Sequence, residues 1–350
     1  MKLKKFFHNF FRVILIILIA ILVLTLLIIG ILYYNHRSKL DDERGYLTPP
    51  GTFVTVGEHK LHIRVEGNKD ADHTLVFVHG RGVPDEAIAL EPLFAELKDE
   101  YRMVLVDRAG FGYSDDKVSA KDIESILEEE RGALAAAEIK GPYDIVAQGE
   151  GGLIALYWAK THPEEVSSII GVNMLFPEDF EGVTSEKYAG FFYYIMAKGS
   201  GIGLHRLMKH LYPVNVGAVY TEKQMAIRKA LYSEGFYTEA MYEEDLETID
   251  NVAKVAEKGI PSDLPILELL ANPLMEPYIT DDAQMAEEYA EAKQEAGETD
   301  IDFAGELNRE RRDFLKNYKN VTVKELSGPA RLYTYCPKDV ADAIREFLKR

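Results

Sequence analysis

Residues 146–171 read VAQGEGGLIALYWAKTHPEEVSSIIG. The run Tyr143–Ala147 that leads into them is short and apolar, as a strand buried on both faces would be. A glycine-rich turn, Gln148-Gly149-Glu150-Gly151, follows it. Gly152–Thr161 then has helical length and few polar residues, and Ser168–Val172 returns to strand character. A strand, a tight turn, a helix and a strand make one βαβ unit, which predicts a parallel sheet covered on both faces.

The same alternation extends outward. Leu75–Val78 and Met103–Val106 are two more wholly apolar runs, ending at His79-Gly80 and at Asp107. Asp85–Leu97 and Ala120–Ala137 carry helical patterns between the strands. Thr52–Val56 and Lys60–Val65 alternate apolar and polar residues around Gly57-Glu58, which predicts an antiparallel hairpin. Residues 177–262 lose strand character and read as several helices rich in Tyr, Phe, Met and Leu. Pro265–Leu270 and Val321–Leu326 read as two further strands, and Asp339–Leu348 as a closing amphipathic helix. The predicted class is α/β: a mostly parallel, doubly wound sheet of about eight strands with a helical insertion. Ligands of such sheets bind beyond the carboxyl ends of the strands. The residues to examine are therefore those of 79–82, 107–110, 148–151, Asn173, 272–276 and 328–331.

FVHGRG at 77–82, DRAGFGYSD at 107–115, residues 146–171 and CPKDVADAIREFL at 336–348 stand in an order and spacing that resembles the α/β-hydrolase superfamily. The resemblance runs from about residue 52 to the end, and the helical insertion matches that family's cap. In the family the nucleophile is the serine of G-x-S-x-G, on a sharp strand-to-helix turn. The matching residues are Ala147-Gln148-Gly149-Glu150-Gly151, so the nucleophile position is Gly149. Glycine has no side chain with which to attack a carbonyl. The family's base is a histidine after the last strand, where Ala330 or Arg331 stands here. None of the nine histidines lies beyond His210, and an arginine keeps its proton at any working pH. The family's acid follows the sixth or seventh strand, where Asn173 or Leu274 stands. All three roles are unfilled, and removing the nucleophile or base alone from such a triad costs about 10⁶ in turnover.

The oxyanion side reads as retained. The resemblance implies donors at the backbone amides of Arg81 and Glu150, beside His79 and Gly80, able to hold a small acyl or carbonyl ligand. Glu150 also reads simply as an acid starting a helix, and Asp107 and Ser114 as a structural loop motif. His59 and His62 face opposite sides of a strand and cannot pair on a metal. Glu128-Glu129-Glu130 reads as a solvated helix face, and Cys336 as an unreactive thiol. Phe191-Phe192-Tyr193-Tyr194 reads as core packing, with ligand or membrane contact as alternatives. No cofactor and no metal are expected.

Three readings follow. The chain is a catalytically dead α/β-hydrolase relative keeping a binding pocket, an active hydrolase using other residues, or a structural membrane-associated interaction module.

Val13–Tyr34 carries no charge over 22 positions. At 1.5 Å per residue it spans about 33 Å, enough for a hydrocarbon core, so a lipid bilayer is the expected partner. A secretory signal has an apolar core of about 7–15 residues. Lys2, Lys4, Lys5 and Arg12 precede the span and Arg37, Lys39 and Arg44 follow it, which favours a cytoplasmic N-terminus and an extracytoplasmic body. The expected organisation is a cytoplasmic 1–12, a transmembrane helix 13–34, a stalk 35–51, an α/β core 52–176 with 263–350, and a cap 177–262. The 350 residues hold 40 basic and 58 acidic side chains, a net charge of −18, which disfavours nucleic acid as a partner. A single cysteine excludes an intrachain disulfide.

Overall fold

A computed structural model of the protein describes residues 2–81, 83–115, 119–184, 190–208, 212–213, 215, 219–272, 303–328 and 331–349, with side chains omitted at 2–5 and 303–307. Eight strands form one sheet: β1 Thr52–Val56, β2 His59–Gly67, β3 Thr74–Val78, β4 Arg102–Asp107, β5 Tyr143–Gly149, β6 Val166–Met174, β7 Ile266–Asn272 and β8 Val321–Ser327. Their spatial order is β1-β2-β4-β3-β5-β6-β7-β8. The hairpin strand β2 runs antiparallel to both β1 and β4, and every later pairing is parallel. This is the predicted α/β class.

The helices are α1 Lys2–Glu43, α2 Glu86–Ala89, α3 Glu91–Leu97, α4 Ile123–Ala136, α5 Gly151–Thr161, α6 Phe191–Ser200, α7 Glu222–Gly235, α8 Glu239–Lys258, α9 Phe303–Leu315, α10 Leu332–Tyr335 and α11 Pro337–Leu348. Successive side chains of the central strands feed opposite cores. Val76, Val104, Ile145 and Ala147 pack with α4 and α5 on one face. Leu75, Phe77, Met103, Leu105 and Val146 pack with α3 and α11 on the other. The pattern 85–97 becomes two helices, because Pro92 has no N–H to carry one helix across Leu90. Helices α6, α7 and α8 lie between β6 and β7.

Helix α1 differs from its reading. It is long and apolar enough to cross a membrane, but it does not stop at Tyr34. It continues to Glu43, so the polar residues 35–43 are helical rather than an extended stalk. That end is docked. His36 and Leu40 are buried, Arg206 donates from Nε to His36 Nδ1 at 2.8 Å and pairs with Glu43, and Arg44 pairs with Glu234 on α7 at 2.8 Å. The imidazoles of His36 and His205 meet edge to face, 5.4 Å apart.

Candidate functional site

The turn at the end of β5 keeps the elbow's shape. Gly149 has φ +54°, a conformation glycine adopts without strain. A Cβ built there would meet nothing within 4 Å, so the space in front of the turn is open. Helix α5 starts immediately afterwards and would present its N-terminal dipole to an anion. The loop after β3 closes on the same point. A Cβ on Gly80 would stand 3.1 Å from the Glu150 backbone nitrogen and 3.2 Å from the Gln148 carbonyl. A glycine lets the two loops approach this closely, and it brings the predicted 79–81 loop against the elbow.

What fills the region is charge. Arg81 donates from Nε to Glu150 Oε1 at 3.1 Å and from Nη1 to Asp245 of α8. Tyr237 also donates its hydroxyl proton to Asp245. The fully buried Arg108 donates to both oxygens of Glu244, at 2.8 and 3.0 Å, and to the His79 carbonyl at 2.9 Å. Arg228 of α7 reaches Asp85, which is equally buried, at 2.5 Å. Three ion-paired arginines thus tie the strand ends to α7 and α8. The hollows left between them are small. One of about 20 Å³ is lined by Arg81, Glu150, Glu244, Thr248 and their neighbours. One of about 10 Å³ is bordered by His79, Glu86, Gln148 and Tyr333. Each has room for about one water molecule. A wider hollow of about 560 Å³ lies between Phe176, Asp179, Arg311 and Phe314, and no elbow or oxyanion residue borders it.

The acid and base positions are occupied by other contacts. Asn173 ends β6 at φ +52°, and its Oδ1 accepts from Arg311 Nη1 at 3.2 Å. Arg311 in turn holds Asp179 at 2.8 Å, so the amide is committed to a cation. Arg331 reaches the Tyr232 hydroxyl at 3.4 Å. Leu274 and Ala330, the other candidates for acid and base, lie outside the described residues, as do Gly82 and His210.

The described histidines beyond the N-terminal span have the following partners. His59 meets Asp115, His73 meets Asp144, and His162 meets Thr161 at the far end of α5. His205 lies against Ser233 and His36. His79 donates from Nδ1 to the Gly80 carbonyl at 2.7 Å, and burial pushes its pKa down to about 4. Burial keeps it neutral, and its Nε2 has no partner. Among the described residues one His–Asp pair is fully buried. His62 Nδ1 meets Asp107 Oδ2 at 3.0 Å, but its Nε2 lies against Gly51, where a Cβ would come within 2.8 Å. Asp107 also accepts from the Tyr113 amide, and Ser114 Oγ accepts from the His62 amide. The group pins the 107–115 loop to β2, as a structural motif does.

Two expectations are corrected. Of Glu128-Glu129-Glu130 only Glu128 is solvated. Glu129 accepts from the Ala109 amide at 2.7 Å. Glu130 is wholly buried with neither carboxyl oxygen partnered, and burial raises its pKa to about 8. The signal was present: Glu130 follows Ile126 and Leu127 at helical spacing and precedes Ala133 and Leu134, all on the buried face. Phe191 and Phe192 are not core packing but 79% and 66% exposed.

Two acids went unremarked in the sequence. Burial pushes Glu86 up to about 7, where it accepts from Tyr333, and raises Glu268 strongly beneath Gly171. The Cys336 thiol is likewise pushed up by burial, to about 11, which leaves it protonated and unreactive. Among the described residues no group of three or more His, Cys, Asp or Glu is placed to hold a metal.

A family profile for the alpha/beta hydrolase fold matches residues 73–212. An uncharacterized protein of Bacillus subtilis, YbdG, is 28% identical over 348 residues, covering 97% of this chain and 98% of YbdG. Among solved structures, a Vigna radiata epoxide hydrolase variant superposes with a TM-score of 0.60 at 15% identity, over 85% of this chain and 97% of that one. The enol-lactonase from Burkholderia xenovorans superposes with a TM-score of 0.57 at 16% identity, over 85% and 100%.

Proposed function

We propose that this protein of the α/β-hydrolase superfamily is a membrane-anchored pseudoenzyme, its segment 177–262 a cap closed over a vacated reaction centre. The observation that carries the reading is at residue 149. The turn has kept its shape and the space before it is open. Residue 149 itself carries no nucleophilic side chain, and the acid and base positions described at Asn173 and Arg331 carry an amide and a guanidinium. A serine or cysteine nucleophile needs a base to take its proton. The oxyanion geometry alone is worth about 10³–10⁴ over water in enzymes stripped of their triad.

The water-sized cavities favour a role exercised through the protein's surface over capture of a small molecule at the elbow. A small acyl or carbonyl ligand at the Arg81 and Glu150 amides is the second reading. The helix dipole of α5 supports it.

The test is direct. The purified full chain in detergent is treated with a fluorophosphonate probe and with p-nitrophenyl esters. Labelling and turnover no greater than those of the heat-denatured protein are expected, and robust signal in either assay overturns the pseudoenzyme reading. Mass spectrometry of small molecules released from the same preparation separates the two binding modes. A stoichiometric acyl or carboxylate compound would select the second.

A further inference from the structure

Helix α6 carries its aromatic residues outward. Phe191 and Phe192 are largely exposed, Tyr194 and Ile195 partly so, and Leu207 of the following turn Leu204–Leu207 is 65% exposed. In the second half of α6, Met196, Ala197, Gly199 and Ser200 are buried. An apolar patch of this kind on one edge of a soluble domain marks a contact surface.

Two further observations select the occupant. The first is position. The turn Leu204–Leu207 is fastened to α1 immediately past its apolar span: a Cβ on Gly203 would stand 2.5 Å from the Cβ of His36, and Arg206 bonds His36 and Glu43. His36 is two residues beyond Tyr34, about 3 Å along the helix axis. The headgroup layer outside the hydrocarbon core is several Å thick, so this turn stands within it when α1 spans the bilayer. The second is charge. About one residue in six of the whole chain is Asp or Glu, yet residues 191–220 contain none, while Lys198, Arg206 and Lys209 fall among them. Glu239 pairs with Lys198 and Glu43 with Arg206. An aromatic segment without acids and with basic residues has the composition of a helix lying in the membrane interface.

We propose that α6 and the turn Leu204–Leu207 form a second, peripheral contact with the lipid bilayer beside α1. The proposal rests on α1 being an anchor. It deepens that reading by turning the cap toward the lipid, so that the cap lies between the vacated centre and the membrane.

The test uses full-length protein carrying Cys336→Ser and one new cysteine, labelled with an environment-sensitive dye. The protein is reconstituted in vesicles of phosphatidylcholine and phosphatidylglycerol. Separate samples carry Phe192→Cys, Leu207→Cys, Leu22→Cys within α1, and Glu346→Cys on α11 as a remote control. Quenchers are doxyl groups placed on the lipid near the headgroup or deep in the chain, and aqueous iodide. The proposal expects the dyes at 192 and 207 to lose most of their emission to the shallow lipid quencher and little to iodide. The dye at 346 should show the reverse. If position 192 or 207 behaves like 346 while the dye at 22 is quenched by the deep lipid label, the second contact is refuted and the anchor stands. That outcome includes the case in which a protein partner covers the patch in the cell. If the dye at 22 is not quenched by lipid, the anchor reading itself fails and takes this proposal with it. The substituted side chains at 192 and 207 are exposed, so folding is not at stake, and a thermal melt of each sample verifies it.

Discussion

Glu130 is buried beside Arg108, Glu129 and Glu244 with both carboxyl oxygens unpartnered. Its native pKa of about 8 stands above the ordinary value of 4.5. Between those two values the unfolded chain gives up its proton and the native one holds it, so the stability contributed by Glu130 is whole below pH 4.5 and is lost as pH rises toward 8. Glu86, raised to about 7, acts with the same sign. Glu130→Gln removes the larger of these titrations. The variant should match the wild type near pH 5 and exceed it by roughly 2–4 kcal/mol at pH 9. Urea melts at the two pH values measure this, and equal slopes for the two proteins would refute it. At the elbow, Gly149→Ser should fold, since its Cβ enters open space, but the positive φ costs it about 1–2 kcal/mol. It should gain no acyl-enzyme burst with an activated ester, because nothing adjacent takes its proton. A robust burst would mean that a base stands near the turn after all.

At the scale of elements, ion-paired arginines close α7 and α8 onto the strand ends. Arg108→Leu strands Glu244 in a buried site and should cost about 3–5 kcal/mol. Arg108→Leu combined with Glu244→Leu should recover roughly half of that loss, since the penalty is an uncompensated charge rather than a lost attraction. A double-mutant cycle by denaturant unfolding decides it. An additive pair of losses would mean that the two side chains do not interact. These braces were invisible in the sequence, because Arg108 and Glu244 are 136 positions apart and no local pattern records such a pairing. The strands were legible for the opposite reason. Leu75–Val78 and Ile145–Ala147 are apolar on both faces because both faces are covered, and that is a local property of the chain. The elbow was legible as well, since a glycine turn between strand and helix is a short-range signal. The break at Leu90 was encoded by Pro92. The burial of Glu130 was written in helical spacing, and its charge concealed it.

For the whole molecule, the proposed anchoring by α1 sets where the protein would work. With Lys2, Lys4, Lys5 and Arg12 on one flank, the reading places the N-terminus in the cytoplasm. A C-terminal epitope tag should then be removed by protease added to intact cells, and an N-terminal one should survive until the membrane is breached. The reverse pattern would invert the orientation.

The continuity of α1 from Lys2 to Glu43, with His36, Leu40, Glu43 and Arg44 all fastened to the folded body, has a mechanical corollary. A globule hung from a floppy tether swivels and samples every heading. One bolted to a single unbroken rod keeps a fixed attitude, so copies anchored this way would drift through the membrane with the same side always down. Their encounters would then be confined to two dimensions and already aligned.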